Sequence, residues 1–487
     1  MQNLKNTYSE LPKDFHRAIN PTPVSKPKVL SLNYALANDL SIDTSDEAQL
    51  LSYFSGNAVP ENASAIATAY AGHQFGNFVP QLGDGRAILI GELIDEAGKL
   101  NDIQLKGSGP TAFSRQGDGR SAIGPVIREY ILSEAMHAMN VPTTRALAAI
   151  STGDDVFRET ALKGGILTRV SSSLIRVGTF EFFRARQDLD NLRILADYSI
   201  NRLYPEISGQ KNKYLLLFNA IAEKQSILIS KWMSIGFIHG VMNTDNFSIS
   251  GETIDYGPCA FMESYDPDTV FSSIDRHGRY KYSNQPKIAL WNLSCLGGCL
   301  LPIIDGNEDE KEEIIRESLG NFSKDLNSKI NIEMTKKIGL KETRQSNELT
   351  KKLLSIMHQN GADFTLTFRS LSSAIKGNDD QFLQCFNGNQ EAEGWLVEWK
   401  NLINKEKGDR ETIAESLNCI NPIYIPRNHM IERAIREYEE ENTHSIMDEM
   451  LKVTADPYLD QKDMEDYAVP AKDDEQVTQT FLSLIHI

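Results

Sequence analysis

The chain contains few cysteines, and they are scattered. Five cysteines occur in 487 residues, and no two of them form a C-x-x-C pair. Neither a cysteine metal site nor a disulfide framework is therefore indicated, which favours a reducing compartment. Residues 1–21 lack the apolar core of a signal peptide and the Arg-rich amphipathic pattern of a transit peptide. We therefore predict a cytoplasmic protein of bacterial type.

Positive charge and long apolar runs are also scarce. Fifty Lys and Arg residues face 67 Asp and Glu residues, so the net charge is −17. General nucleic-acid binding requires a basic face, so no nucleic-acid partner is predicted. The most apolar segment, residues 288–304, is interrupted by Asn292, two glycines and Pro302. That pattern predicts a buried helix and no membrane span.

The most informative segment is residues 239–246 (HGVMNTDN), which a DYG tripeptide beginning at Asp255 follows. Kinases carry H-x-D-x-x-x-x-N and then D-F-G. In kinases the first Asp meets the accepting hydroxyl, while the Asn and the DFG Asp hold Mg²⁺. Here His239, Asn246 and Asp255 keep the kinase spacing, but Val241 replaces the first Asp. The sequence thus indicates a kinase-type metal site with an altered base.

The remaining kinase elements occur upstream in kinase order. Residues 102–106 (DIQLK) alternate polar and apolar, which predicts a strand ending in Lys106, whose charge can meet phosphates. The apolar period of residues 121–139 predicts a helix that presents Glu129 as the ion-pair partner of that lysine. Residues 82–86 (LGDGR) predict a glycine turn, and residues 87–94 after it predict a strand. Each element alone is common in turns and strand edges, but their shared order is typical of kinases.

The chain resembles the selenoprotein O (YdiU) family of pseudokinase-fold protein nucleotidyltransferases. The matching blocks include YAGHQFGNFVPQLGDGRA, DIQLKGSGPTAFSRQGDGRSA, GGILTRVSSSLIRVGTFEFF, GFIHGVMNTDNFSISGETIDYGPCAFME and HGRYKYSNQPKIALWNL. They span residues 70–291, and a weaker likeness continues to about residue 467. The resemblance implies that ATP binds flipped, so that AMP passes to Ser, Thr or Tyr hydroxyls of target proteins and pyrophosphate leaves. It also implies Mg²⁺ or Mn²⁺ as cofactor and, for some members, UMP transfer from UTP.

The resemblance also implies a role for particular residues of this sequence. The base falls on Asp245, which supplies a carboxylate although Val241 does not. The metal ligands fall on Asn246 and Asp255, and a structural ion pair joins Lys106 to Glu129. The implied nucleotide contacts are Gly83, Gly85, Arg86, Lys106, Asp118, Gly119, Arg169, Arg176 and Asp255. Without the family, Arg169 and Arg176 are typical of surface charge.

The predicted fold class is α+β. We expect a bilobal protein-kinase-like fold, with a β-rich small lobe, a mainly helical large lobe and terminal extensions. The predicted divisions are an N-terminal extension (1–65), a small lobe (66–165), a large lobe (166–450) and a C-terminal tail (451–487). We hypothesise that the last six residues (482–487, LSLIHI) are a translated sequencing adapter that replaces a native, redox-active end.

Three functions stay open at this point. The first is a protein adenylyltransferase, and the second is a phosphotransferase that uses Asp245 as a displaced base. The third is a silent ATP-binding scaffold, which Val241 alone suggests and which the retained Asn246 and Asp255 argue against. The sequence identifies neither the target proteins nor the preferred metal, nucleotide or oligomeric state.

Overall fold

The computed structural model describes residues 4–405 and 408–477, which form a mixed α/β fold around one antiparallel sheet. The strands are β1 (His16–Ala18), β2 (Lys28–Leu32), β3 (Ile66–Thr68), β4 (Gly72–Gln74), β5 (Asn77–Val79), β6 (Ala87–Ile94), β7 (Leu100–Lys106), β8 (Ser121–Ala122), β9 (Arg145–Phe157), β10 (Ala161–Ser171), β11 (Phe237–Ile238) and β12 (Ala260–Phe261). The bilobal, kinase-like arrangement goes beyond this description and stays a prediction.

The helices are concentrated in the second half of the chain. They are α1 (Tyr34–Asp39), α2 (Glu47–Phe54), α3 (Ile123–Ala138), α4 (Val177–Ala185), α5 (Leu189–Leu203), α6 (Lys213–Ile235), α7 (Gln285–Leu300), α8 (Glu308–Lys337), α9 (Arg344–Asn360), α10 (Phe364–Ile375), α11 (Asp380–Gln384), α12 (Gln390–Ile403), α13 (Arg410–Ile420), α14 (Asn428–Glu441) and α15 (Ser445–Ala455).

The main sheet has the strand order β1-β3-β6-β7-β10-β9-β2, and β8 pairs with β10. All of these neighbours run antiparallel. Strands β1 and β2 both come from the first 65 residues, and each forms one edge of the sheet. The segment predicted as an N-terminal extension therefore contributes structure to the sheet itself, while the boundary at residue 65 stays a prediction.

The elements closest to the site follow from their local patterns. Strand β6 covers the predicted span 87–94, and its burial on both faces agrees with its apolar sequence. Helix α3 begins two residues later than predicted and buries Ile123, Ile127 and Ile131, which share one face at helical spacing. Pro125 lies in its first turn, where the missing N–H costs nothing. The sheet and α3 thus form a rigid support for the charged groups.

Helix α7 is the apolar segment singled out in the sequence. Leu293, Leu296 and Leu300 are fully buried in the core. Among the described residues, one helical stretch, Tyr282–Ile303, is long and apolar enough to cross a membrane by length and composition, and half of its apolar window is buried within the protein. A core helix passes the same test, so this stretch agrees with the predicted buried helix.

Part of the predicted C-terminal tail packs against the helical region. Ala468 joins a small apolar cluster with Tyr424 and Val453, and its carbonyl oxygen accepts a hydrogen bond from Arg427 Nε at 2.9 Å. The backbone N–H of Ala471 donates to Glu263 Oε2 at 3.1 Å. The adapter-like residues 482–487 lie outside the described residues.

Candidate active site

The charged residues of the candidate site converge from three elements of the sheet region. Lys106 ends β7, Glu129 lies on α3, and Arg169 lies on β10 directly opposite Gln104 of β7. Because side chains alternate along a strand, Gln104 and Lys106 share one face of β7. The antiparallel pairing of β7 with β10 therefore places Arg169 beside the predicted lysine and helix glutamate.

We define the active-site cluster as five charged side chains: Lys106, Glu129, Arg169, Arg176 and Asp255. Lys106 Nζ lies 2.6 Å from Glu129 Oε2 and 3.0 Å from Asp255 Oδ1. Arg169 spans the same two carboxylates, since its Nη2 lies 2.5 Å from Glu129 Oε1 and 2.6 Å from Asp255 Oδ1. Two cations thus bridge one pair of acids.

Arg176 links this cluster to the turn that carries the predicted base. Its Nη1 donates to the backbone carbonyl oxygen of Asp245 at 3.0 Å and lies 3.3 Å from Asp255 Oδ2. The guanidinium also stacks over the ring of Tyr70, with 4.5 Å between Cζ and the ring centre. Arg169 and Arg176 are both buried. The expectation of surface charge, which applies without the family, is therefore wrong for both.

Asp255 is the residue on which the cluster converges. Burial opposes its ionisation, but the charges of Arg169, Lys106 and Arg176 outweigh that cost and hold the pKa of Asp255 well below its usual range. Its backbone φ is +63°, in the left-handed region that Asp tolerates better than most residues. The site thus holds an ionised carboxylate in an unusual backbone conformation, which is common at functional positions.

Asp245 lies in a 3₁₀ turn, Thr244–Asn246, and its side chain is buried. Its Oδ2 accepts a 3.3 Å hydrogen bond from Gln74 Nε2, whereas its Oδ1 has no hydrogen-bond partner among the described residues. Burial raises the pKa of Asp245 to about 6, against the lowering effect of Arg176. A carboxylate with that pKa can accept a proton near neutral pH.

Asn246 and His239 hold the loop around the base. Asn246 Nδ2 donates to Val241 O at 3.0 Å, which leaves the amide oxygen as the atom that can meet a cation. His239 Nε2 lies 2.9 Å from the carbonyl oxygen of Ile254, next to Asp255. The amide of Asn246 and the ionised carboxylate of Asp255 are hard oxygen donors. This donor set fits Mg²⁺ or Mn²⁺.

The glycine turn is packed from behind by the segment after β7. Gly83 has φ +116°, and a Cβ there would collide with the ring of Phe113. Ser114 Oγ donates to the carbonyl oxygen of Gly85. The charges of Asp255 and Glu129 act on Arg86, so Arg86 belongs to the same electrostatic environment as the cluster. Close packing thus accounts for glycine at position 83 without a ligand.

Asp118 and Gly119 make contacts that differ from those of the other candidate residues. Asp118 Oδ2 pairs with Arg158 Nη1 at 2.8 Å, and this carboxylate is 43% exposed. Gly119 has φ +65°, and a Cβ there would collide with the backbone of Gly109. Within residues 4–405 and 408–477, no hydrogen bond or ion pair joins Asp118 to the active-site cluster. Their role as nucleotide contacts stays a prediction.

Sequence reasoning missed several groups that touch the site. Gln104 Oε1 accepts from Arg169 Nη1 at 3.3 Å, and its period-two relation to Lys106 could have revealed it. Tyr70 and Gln74 belong to the first family block, but no local pattern connects either of them to Arg176 or Asp245. His73 belongs to the same block and is hydrogen-bonded, because its Nδ1 lies 2.5 Å from Glu181 Oε1.

Comparison with known proteins agrees with the resemblance seen in the sequence. A family model described as "Protein adenylyltransferase SelO" matches residues 1–455. A protein of Maridesulfovibrio salexigens named "Protein nucleotidyltransferase YdiU" is 48% identical over 477 residues, which cover 98% of this chain and 97% of that protein. A protein of the same name from Rhizobium rhizogenes is 50% identical over 480 residues, covering 98% and 96%. The chain therefore belongs to the protein adenylyltransferase SelO family.

Proposed function

We propose that this protein transfers AMP from ATP to Ser, Thr or Tyr hydroxyls of target proteins and releases pyrophosphate, with UTP and UMP transfer as a second use of the same site. The fold we propose for it is bilobal and kinase-like, with residues 66–165 and 166–450 as the two lobes. The names of the family and of the relatives support nucleotidyl transfer to proteins. The reducing compartment we propose is the cytoplasm, which agrees with five unpaired cysteines.

The observation that carries this proposal is the convergence of three buried cations on one carboxylate. All three cations of the active-site cluster pair with Asp255, and their other ion-pair partners are Glu129 and, at 4.0 Å, Asp84. In a chain whose net charge is −17, such a group of buried cations favours an anionic ligand. A nucleotide triphosphate supplies negative charge to these cations, and fixed cations stabilise the pyrophosphate that departs.

Asp245 is the group that we assign as the base. The acceptor oxygen forms a bond to the α-phosphorus, the bond from that phosphorus to the bridging oxygen breaks, and the hydroxyl proton passes to the carboxylate. A pKa of about 6 leaves Asp245 mostly ionised at pH 7 and still basic enough to take the proton. Arg176, bonded to its backbone carbonyl oxygen, fixes this turn relative to the cations.

A divalent cation fits the donors described above. Asn246 and Asp255 would hold it, and when bound it neutralises phosphate charge. Lys106, Arg169 and Arg176 all pair with Asp255. When that carboxylate holds a cation, phosphate oxygens can take its place as partners of the three positive side chains.

The test uses labelled ATP. The purified protein is incubated with a generic protein acceptor, Mg²⁺ or Mn²⁺, and ATP labelled at the α or the γ position. We expect acceptor label from α-labelled ATP only, its loss in Asp255→Asn, and its retention in the control Asp190→Asn, whose side chain is 96% exposed on α5. Label from γ alone would make the protein a phosphotransferase. If neither ATP labels the acceptor although ATP still binds, the ATP-binding scaffold becomes the favoured function.

A further inference from the structure

A closed ring of hydrogen bonds joins strand β4 to the turn that carries Asp245. The backbone N–H of His73 donates to Thr244 Oγ1 at 2.6 Å. Thr244 Oγ1 donates to Glu181 Oε2 at 2.5 Å, and His73 Nδ1 lies 2.5 Å from Glu181 Oε1. Because a carboxylate only accepts, His73 Nδ1 carries the proton in this ring. Three elements distant in sequence, β4, α4 and the 3₁₀ turn, are thus held by one carboxylate.

Two of the three ring residues are buried, His73 is half-buried, and the residues on both sides of His73 lie close to the proposed base. Thr244 is fully buried and Glu181 is 4% exposed. On either side of His73, a Cβ on Gly72 would lie 2.7 Å from Asp245 Oδ1, and Gln74 donates to Asp245 Oδ2. Strand β4 therefore encloses the carboxylate of Asp245, and the ring fixes the distance between that strand and the turn.

A metal site is the competing interpretation of the same residues. His73, Glu181 and Cys295 place ligand atoms within 4.8 Å of one another. However, both oxygens of Glu181 and the Nδ1 atom of His73 are already engaged in the ring. Burial also raises the pKa of the Cys295 thiol to about 12, whereas a metal binds the thiolate. The hydrogen-bonded ring therefore accounts for His73 and Glu181 without an ion.

We infer that His73, Glu181 and Thr244 are positioning residues that set the place of the Asp245 carboxylate relative to the accepting hydroxyl. This inference rests on the proposed function, in which Asp245 is the base. Thr244 immediately precedes Asp245, so a shift of its side chain moves the base directly. A misplacement of about 1 Å from such a change can lower the rate roughly a hundredfold. ATP binding depends on other side chains, so its affinity is expected to stay unchanged.

The kinetic experiment compares Thr244→Val, which removes the hydroxyl at nearly constant shape, with Thr244→Ser, which keeps it. We expect Thr244→Val to lower kcat for AMP transfer by ~10–100-fold with KM for ATP within about twofold. Thr244→Ser should recover kcat to within about threefold. An unchanged kcat per folded molecule in Thr244→Val, or a loss that Thr244→Ser does not recover, would indicate a merely structural role and overturn the inference.

His73→Ala should reproduce the Thr244→Val result, since it opens the same ring. The matched control is His444→Ala, which removes an exposed His–Asp pair, with 2.9 Å between His444 Nδ1 and Asp448 Oδ2, far from the base in sequence. That control should keep kcat and KM for ATP. Elemental analysis of the wild-type protein adds a further check. If the wild-type protein binds one equivalent of metal and His73→Ala does not, the metal site is correct and the hydrogen-bonded ring is overturned.

Hydrogen exchange separates failure of the ring from failure of the proposed function. The N–H of His73 donates to Thr244 Oγ1, so amide exchange at residues 70–79 should accelerate at least about tenfold in Thr244→Val, with no nucleotide present. Unchanged exchange would overturn the ring whatever the activity. If the wild-type protein transfers no AMP, the proposed function fails, and faster exchange still supports the ring as the anchor of residues 244–246.

Discussion

Two buried charge clusters lie on opposite ends of the same strand, and they differ in which charge is shared. Lys106, at the end of β7, belongs to the active-site cluster, while Asp102 near its start belongs to what we term the Arg202 cluster. In that cluster Arg202 lies 2.5 Å from Glu92 Oε1 and 2.6 Å from Asp102 Oδ1. One cation thus serves two carboxylates there, whereas three cations converge on the single carboxylate of Asp255 in the active-site cluster.

The Arg202 cluster is satisfied internally. Glu92 also accepts from the backbone N–H of Thr7 at 2.9 Å, and Asp102 Oδ2 accepts from the N–H of Leu174 at 2.9 Å. Its groups therefore have partners without any ligand, as a structural cluster requires. In the active-site cluster three cations share Asp255 beside the proposed base Asp245, whose Oδ1 has no hydrogen-bond partner among the described residues. The comparison shows that burial and ion pairing alone do not identify a functional site, whereas the convergence of several cations on one acid favours an anionic ligand.

The largest effect is expected from Asp255→Asn, which removes the carboxylate shared by all three cations. We expect AMP transfer to fall ~10⁴-fold, about 5.5 kcal/mol of barrier, because metal holding and cation placement fail together. Single-turnover assays with α-labelled ATP measure this loss. Retention of more than a tenth of the activity would show that Asp255 is not central to the site.

Arg202→Met should lower the stability of the fold and leave the rate of AMP transfer unchanged. It leaves Glu92 and Asp102 as buried acids without a positive partner, which lowers the unfolding free energy by ~3–5 kcal/mol. Lys106→Met should cost less than ~1 kcal/mol, because Arg169 still pairs with both Glu129 and Asp255, yet it should lower the rate ~10²–10³-fold. Urea denaturation measures the unfolding free energy of both variants, and specific activity per folded molecule measures their rates of transfer. An equal loss of stability in the two variants would remove the distinction between the clusters.

Asp245→Asn should stabilise the protein at pH 8 while abolishing transfer. The folded pKa of about 6 lies above the ordinary value of about 3.9, so ionisation of Asp245 costs stability. That cost is fully present above pH 6 and is lost as the pH falls toward 4. Asn avoids it, so we expect a gain of ~1–3 kcal/mol at pH 8 that vanishes near pH 4. Thermal unfolding across this pH range measures the gain, and a constant difference at every pH would contradict the assigned pKa.

The smallest effect concerns metal-free nucleotide. Without metal, Asp255 competes with phosphate for the three cations, so its removal makes their positive charge more available to the phosphates. We expect Asp255→Asn to bind ATP in EDTA ~3–10-fold more tightly than the wild-type protein, although it is inactive. Calorimetry gives the two affinities, with Asp190→Asn as the control that should match wild type. Weaker binding by Asp255→Asn would mean that the carboxylate supports the nucleotide contacts directly.

Local patterns in the sequence predicted the elements that hold the site better than they predicted its contacts. Strand β7 and helix α3 were expected within two residues of where they occur, because a polar–apolar alternation or a helical period is contained within each segment. The sharing of Glu129 between Lys106 and Arg169 depends on the pairing of β10 with β7, which no local pattern specifies. The antiparallel sheet agrees with the α+β prediction.

The N-terminal segment was harder to interpret for the same physical reason. Its strands β1 and β2 are short, and their partners β3 and β9 come much later in the chain. His73 illustrates a related limit, since its sequence block indicated importance but gave it no chemistry. Its role depends on Glu181 and Thr244, which reach it only in the folded protein.

The origin of both edge strands in the N-terminal segment has a consequence for biosynthesis. The ribosome releases β1 and β2 first, but β2 cannot pair until β9 has been made. Strand β2 must therefore wait unpaired through more than a hundred further residues of synthesis, whereas β1 finds its partner β3 much earlier. An unpaired strand invites pairing with other nascent chains. The order of synthesis thus makes completion of β9 the step at which β2 takes its place as an edge of the finished sheet.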